Sequence, residues 1–258
     1  MATVVVTGAS SGIGRALALA FGARRDRVVL SGRNGDELAK VATEVERQGG
    51  TAVAVASDVT VEADRKRLVE RATEGGAGID VLVNNAGRGY YGRVLELDVS
   101  ELESLFALNV IAPLRLTQLA HAALAQTRGV VVMMSSVAGV VAAPKLGAYA
   151  ASKFALEAVA SSLRAEVAAE GIGVCVVRPG PVDTPFRANA VVSDAVEAGV
   201  RPKGAKVQTP EDIAALTLRA IARNAATVET SAFVRVSSLT ARVAPPLLRY
   251  ALRRMARS

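Results

Sequence analysis

Tyr149 and Lys153 stand four residues apart in MSSVAGVVAAPKLGAYAASKFAL, the segment from Met134 to Leu156. On a helix this spacing puts both side chains on one face, with the ammonium close to the phenol. A tyrosine with an ordinary pKa of about 10 is a poor proton donor and a negligible base at neutral pH. An adjacent cation favours the phenolate and should bring the group towards the working range. Ser136 follows an apolar run, Val130 to Met134, that reads as a buried strand, and its hydroxyl could bond the same substrate oxygen. Together the three side chains describe proton transfer to or from a carbonyl or an alcohol. A solvated lysine above a packed tyrosine is the plain alternative, so the surrounding elements must decide between the two.

Those elements begin with Thr3 to Thr7, a β-branched run that reads as a buried strand and leads into TGASSGIGRALALAF. Gly8, Gly12 and Gly14 fall where strand should turn into helix. Glycine there permits a tight turn and close approach of a pyrophosphate, and the free N–H groups of the helix start, around Ser10, Ser11 and Ile13, attract its charge. The spacing is GxxxGxG, not the common GxGxxG. The next strand, Arg27 to Ser31, ends in Gly32-Arg33-Asn34, where a dinucleotide fold meets the adenosine ribose. An acid at that point would bind the 2′-hydroxyl of NAD, whereas an arginine accepts the 2′-phosphate of NADP. Arg33 is present and the acid is absent, so NADP(H) is expected over NAD(H). Asp36 to Gln48 reads as an amphipathic helix and Thr51 to Ser57 as a strand, with Asp58-Val59 at its exit. Asp58 either accepts from the adenine amino group or caps the following helix. A helix from Val61 to Glu74 and a strand from Ile79 to Val83 follow, then NNAG at Asn84 to Gly87. This alternation implies an α/β, doubly wound parallel sheet.

Composition narrows the field. A chain of 258 residues that is 51% hydrophobic can bury one large core, and a single domain is the default. One cysteine, Cys175, excludes an intrachain disulfide, and with the single His121 it leaves no usual zinc set. The expectation is an intracellular, cytoplasmic and metal-free protein. The start MATVVVTG lacks the basic region and cleavage site of a secretory signal, and no run of about 18 apolar residues could span a membrane. The net charge of +7 would suit nucleic acid or an anionic surface, but aromatics are only 3% and no basic stripe interleaves with them, which argues against nucleic acid.

TGASSGIG, NNAG, and SS followed by YAASK, in this order, resemble the short-chain dehydrogenase/reductase family in its main branch of about 250 residues. The likeness extends from Thr3 to about Val234. It implies a Rossmann-like single domain, residues 1–236, with about seven strands and helices on both faces. It also implies that Tyr149 is the general acid/base, that Lys153 holds the nicotinamide ribose and lowers the Tyr149 pKa, and that Ser136, thirteen residues before the tyrosine, orients the carbonyl. Asn109 in ALNVIAP would kink its helix and hold a water in a relay to the lysine. Asn85, Ala86 and Gly87 resemble the segment that steadies the sheet and borders the adenine ribose. RPGPVDT is similar to the family's PGxVxT, where Pro179, Gly180, Val182 and Thr184 meet the nicotinamide carboxamide. One departure bears on the cofactor. Many NADP-using members carry a basic residue just before the second glycine, and here that residue is Ser11.

The resemblance implies an NADP(H)-dependent oxidoreductase acting on a carbonyl or secondary alcohol, usually as a homodimer or homotetramer. A non-catalytic NAD(P)-binding sensor of the same fold is the competing class, although such sensors typically lose the tyrosine or lysine. An epimerase or dehydratase of the longer branch fits the length and glycine spacing less well. Tyr90, Tyr91 and Leu146 are expected to line an apolar pocket for a lipophilic carbonyl. Residues 185–208, with Arg187, Arg201, Lys203 and Lys206, correspond to the family's substrate loop. Thr209-Pro210-Glu211-Asp212 starts a helix, and Ala226 to Val236 reads as a last strand. The extension 237–258 carries Arg242, Arg249, Arg253, Arg254 and Arg257 with no acid after Glu229. It could form a short basic helix in peripheral contact with an anionic membrane, dock on a partner subunit, or remain frayed.

Overall fold

The first strand, β1 (Thr3–Thr7), is buried along its whole length, and its valines alternate between two cores: Val4 and Val6 pack into one apolar cluster, Val5 into another. That period-two division is what a strand covered on both faces requires, and the chain repeats it. The structure, a computed structural model, describes residues 1–193 and 206–255. Its elements after β1 are α1 (Gly12–Gly22), β2 (Arg27–Gly32), α2 (Gly35–Arg47), β3 (Thr51–Ala56), α3 (Glu62–Ala72), β4 (Val81–Asn84), β5 (Tyr90–Tyr91), α4 (Val99–Phe106), α5 (Ala112–Thr127), β6 (Val130–Met134), α6 (Gly147–Glu166), β7 (Gly173–Arg178), β8 (Val191–Val192), α7 (Pro210–Ala222), β9 (Thr227–Glu229), α8 (Ala232–Val243) and α9 (Pro245–Met255).

Seven strands form one sheet in the order β3-β2-β1-β4-β6-β7-β9, and every pairing is parallel. Leu17 and Phe21 of α1, Leu38 and Val41 of α2, and Ile213 of α7 cover one face together with Val4, Val28, Val83 and Val132. Leu68 of α3, Leu116 and Leu124 of α5, and Leu156 of α6 cover the other with Val5, Val29, Leu82 and Val131. The chain winds outward from β1 to β3, then returns to β4 on the far side of β1. At such a switch point the flanking connections diverge and leave a crevice at the carboxyl ends of the strands. β5 and β8 form a separate two-stranded parallel ribbon that ties Tyr90 and Tyr91 to Val191 and Val192.

Helix ends follow local chemistry. The hydroxyl of Thr209 accepts from the Asp212 N–H and the Asp212 carboxylate accepts from the Thr209 N–H, both at 3.1 Å, with Pro210 in the first turn. Between α4 and α5 the helix continues through a π-helical stretch, Ala107–Ile111, so Asn109 sits where one extra residue widens the turn.

The last strand is shorter than the sequence suggests. β9 ends at Glu229, and residues 232 to 243 are α8, which crosses the domain boundary expected at residue 236. The hydroxyl of Ser231 accepts from the Val234 N–H at 3.3 Å and starts the helix there. Val234 is buried while Val236 is exposed, an arrangement that helical spacing produces and a half-buried strand would not. Of the expected substrate loop, Arg201 and Lys203 lie outside the described residues, as does Arg257 of the tail.

Leu82 at the centre of the sheet is fully buried, so Leu82→Ala should cost about 3 kcal/mol of unfolding free energy through lost burial and an unfilled cavity. The exposed Leu95→Ala should stay within about 0.5 kcal/mol of wild type. Urea denaturation of both variants checks this, and similar losses at the two positions would contradict the assignment of the core.

Candidate active site

The turn from β1 into α1 brings three backbones together. A Cβ built on Gly14 would overlap the carbonyl oxygen of Gly8 and the amide nitrogen of Asn85, so no larger residue fits there. Gly8 has φ +64, and its missing Cβ would lie 3.0 Å from the same Asn85 nitrogen. The Thr7 hydroxyl donates to the Val83 carbonyl at 3.2 Å and accepts from the N–H groups of Asn85 and Ala86 at 2.9 and 3.0 Å. Asn85 in turn donates from its side chain to the Thr7 carbonyl at 2.9 Å. The start of α1 is bare: Ser11, its N-cap, makes no side-chain cap bond, and no acid occupies the first turn. α2, α3, α4 and α7 carry an acid there, while α5, α6, α8 and α9 share its absence with α1. The partial positive charge of α1 is thus left for an external anion.

This start opens onto a cavity of about 580 Å³ at the carboxyl ends of the strands. Of the catalytic and cofactor-binding residues that the sequence marks, all but Gly14, beneath the cradle, and Asn109, behind the lysine, line it. Arg33 and Asp58 stand together at one end. Burial works to raise the Asp58 carboxyl, but the Thr60 hydroxyl and N–H, with Arg33 and Arg65, outweigh it and hold the group below its ordinary value. Its Oδ1 accepts from both Thr60 groups, at 2.9 Å from the N–H and 2.7 Å from the hydroxyl. Among the described residues Arg33 has no salt-bridge partner, and no carboxylate follows β2 before α2.

Tyr149 and Lys153 lie at the other end, both buried, on α6. The Lys153 ammonium donates to the Met134 carbonyl at 2.8 Å and lies 5.9 Å from the centre of the Tyr149 ring. The expected lowering of the phenol pKa is not what this arrangement produces. Burial pushes the Tyr149 phenol well above its ordinary value; the neighbouring Ser136 hydroxyl works against that, and Tyr91 adds to it. Burial also lowers the Lys153 amine from 10.5 to about 8, against the opposing pull of Glu157. The same dry surroundings thus penalise the charged form of both groups. Ser136, the serine beside the phenol, also accepts from the Ala138 N–H at 3.1 Å. Asn109 donates to the Arg88 carbonyl and to the Ser152 hydroxyl, both at 3.0 Å, and accepts from the Arg88 N–H at 3.1 Å.

Tyr91 and Leu146 line the cavity as expected, but Tyr90 does not. It is buried with Leu105, Ala148 and Ala150, because the ribbon with β8 turns alternate residues to opposite sides. Three contributors escaped sequence reading. Phe186 packs on Tyr149 with ring centres 5.8 Å apart, and Met255, at the end of α9, reaches the same cavity. Glu157, one turn beyond Lys153, is gripped at both oxygens by the buried Arg178, at 2.9 and 2.8 Å. The i,i+4 spacing of Lys153 and Glu157 was a readable signal for the last of these.

Architecture and site together define a dinucleotide-binding α/β protein with a buried tyrosine-lysine centre. The family is also clear: the family model described as short chain dehydrogenase matches residues 2–194, and the chain belongs to this family of oxidoreductases. It is 33% identical to dehydrogenase/reductase SDR family member 7B of Xenopus laevis over 97% of this chain and 80% of that protein. Among solved structures it resembles an alcohol dehydrogenase from the archaeon Thermococcus sibiricus complexed with 5-hydroxy-NADP. That match has a TM-score of 0.77 and 28% identity, over 89% of this chain and 94% of the other. A short-chain dehydrogenase/reductase from Burkholderia phymatum in complex with NAD superposes with a TM-score of 0.83 over 97% and 95% of the two chains; at 24% identity this likeness speaks for the fold.

The depressed Lys153 pKa has a measurable consequence. Below about pH 8 the buried ammonium is carried in the folded state at a cost, and above 10.5 neither state is charged. Between these values the unfolded chain binds more protons, so the fold is stabilised as pH rises. Relative to Lys153→Met, the wild type should gain on the order of 3 kcal/mol across that window, measured by urea denaturation near its two ends. A difference that stays flat or shrinks as pH rises would contradict the reading.

Proposed function

We propose that this chain is an NADP(H)-dependent enzyme interconverting a lipophilic carbonyl compound and its secondary alcohol. The observation that carries the reading is the convergence of Ser136, Tyr149 and Lys153 on the same cavity as the bare start of α1. The cradle fits a pyrophosphate: Gly8, Ser10, Ser11, Gly12 and Ile13 present backbone where it would lie, and the space over Gly14 is closed to any side chain. Asp58, Val59, Asn85, Ala86 and Gly87 would border the adenosine half, and Pro179, Gly180, Val182 and Thr184 the nicotinamide half. When bound, the cofactor supplies or takes up the hydride.

The chain's own groups handle the proton. In the reducing direction Tyr149 gives its phenolic proton to the carbonyl oxygen, and in the oxidising direction the phenolate removes it from the alcohol. A phenol held protonated by burial is a donor at rest; the oxidising direction needs the positive charge of Lys153 nearby to make the phenolate accessible. Ser136 holds the same oxygen by hydrogen bond. Lys153 is the ribose ligand, and Asn109 fixes the loop after β4 against α6 on the lysine's inner side. Tyr91, Leu146, Phe186 and Met255 give the substrate end apolar walls that suit a lipophilic carbonyl, with Lys145 and Arg187 also on the lining. Exposed Ile111 and Phe154, on neighbouring segments beside the site, suit a second copy and hence a homodimer or homotetramer. No helix among the described residues is long and apolar enough to cross a membrane.

Tyr149→Phe keeps the ring and its contact with Phe186 but removes the proton. Turnover in a panel of carbonyl substrates scored by NADPH oxidation should fall by about 10²- to 10⁴-fold, with NADPH affinity, followed by fluorescence, changed less than about threefold. Loss of binding together with turnover would count against this division of roles.

Arg33 supports the choice of cofactor, since a charge-assisted bond to a 2′-phosphate is worth roughly 1.5 to 3 kcal/mol. The wild type should prefer NADPH to NADH by one to two orders of magnitude in kcat/KM, and Arg33→Ala should erase most of that, mainly through the KM for NADPH. Equal use of NADH by the wild type would sink the assignment.

A further inference from the structure

We infer that α8 and α9 form a docking surface for an anionic lipid bilayer, placed so that the substrate end of the cavity opens beside the membrane. α8 is fastened to the protein along one side. Val234 and Ser238 are buried, and the missing Cβ of Gly180 would meet the Val234 side chain at 3.2 Å, so the helix packs directly on the motif that follows β7. The opposite side faces solvent and is apolar. Val236, Leu239 and Val243, at i, i+3 and i+7, form one stripe and are 63%, 58% and 70% exposed. α9 adds Leu247 and Tyr250, each 61% exposed, while Leu248 and Leu252 are half-buried.

An unpartnered apolar stripe could receive a second copy, another protein or a bilayer, and the charge pattern decides among these. Arg235 and Arg242 flank the stripe on α8; Arg249, Arg253 and Arg254 lie along α9; and no acid occurs after Glu229 in the sequence. A two-fold contact between copies would set these arginines against one another with no carboxylate on either face to neutralise them. A surface of anionic headgroups over hydrocarbon satisfies both features at once: the arginines meet the phosphates and the stripe sinks below them. Neither feature suffices alone, since the stripe is short and exposed charge is screened beyond about 8 Å at physiological salt. Met255 ties the surface to the chemistry, because it ends α9 and lines the cavity that holds Tyr149. That the cavity accepts a lipophilic carbonyl rests on the function proposed above; the docking itself does not.

The test is sedimentation of the full chain, without cofactor or substrate, with vesicles of phosphatidylcholine alone or with about a third phosphatidylglycerol. Binding should be at least about tenfold stronger to the anionic vesicles in low salt and should be released at about 0.5 M salt. Leu239→Asp/Val243→Asp should lose at least about tenfold in partitioning, with circular dichroism and NADPH binding unchanged. Arg242→Gln/Arg249→Gln should weaken binding and flatten its salt dependence. Tyr149→Phe should bind vesicles like the wild type, which separates failure of the docking from failure of the catalytic assignment. Absence of sedimentation with anionic vesicles, or equal binding to neutral ones, would overturn the inference. So would an oligomer mass, measured by light scattering, that falls in the Leu239→Asp/Val243→Asp variant while the wild type ignores vesicles; that result would assign the face to a second copy.

Discussion

The hydroxyl of Thr7 bonds three backbone groups of the segment from Val83 to Ala86, and the structure around the site depends on that junction. β1 and β4 are neighbours in the sheet but belong to opposite directions of winding, so the connections leaving them part company just past their carboxyl ends. If the two ends could slide, the crevice would have no fixed width. Thr7 and the side chain of Asn85 pin them within hydrogen-bond distance, and the absence of a side chain on Gly14 lets α1 come down onto the joint. The bare helix start therefore points at a space whose walls are set by a local network of hydrogen bonds.

From that joint the constraint passes to the proton-handling end. The chain leaving Asn85 runs through Gly87, where a Cβ would sit 3.0 Å from the Asn109 oxygen and 3.6 Å from the Lys153 ammonium. Asn109 reaches its position because the helix is locally π-wound, and it bridges the Arg88 backbone to Ser152, the residue before the lysine. The lysine itself is held in surroundings that disfavour its charge. The Met134 carbonyl and the more distant Glu157 oppose that penalty, and Arg178 keeps Glu157 in place. Burial acts on the phenol and the amine in opposite directions on the pH scale, yet both shifts penalise charge at the reaction centre in the resting protein.

The C-terminal helices illustrate how a peripheral element becomes part of the site. α8 rests on Gly180 through Val234, and α9 returns its last residue to the cavity. α8 leans on the protein through Val234 and Ser238, and both helices leave apolar and cationic side chains outward.

Period-two valine runs, glycines at a strand-to-helix turn and the four-residue spacing of Tyr149 and Lys153 are local features, and they were enough to determine the parallel sheet, the turn at Gly8 to Gly14 and the shared helix face of tyrosine and lysine. They suffice because strand alternation, backbone clearance and helical pitch depend only on near neighbours. What lay beyond the sequence depended on neighbours distant in the chain. The segment AFVRVSS satisfies either period over so short a stretch, and the place of Val234 against Gly180 acts with the Ser231 cap to select a helix. Tyr90 and Tyr91 are equivalent in type, and the ribbon with Val191 and Val192 decides which one meets the cavity. The electrostatic state of Tyr149 and Lys153 is a matter of burial, which spacing cannot report: four residues of helix bring cation and phenol together, but the packing of β6, the Asn109 turn and Phe186 around them removes the water, and loss of water sets the sign of the Tyr149 shift.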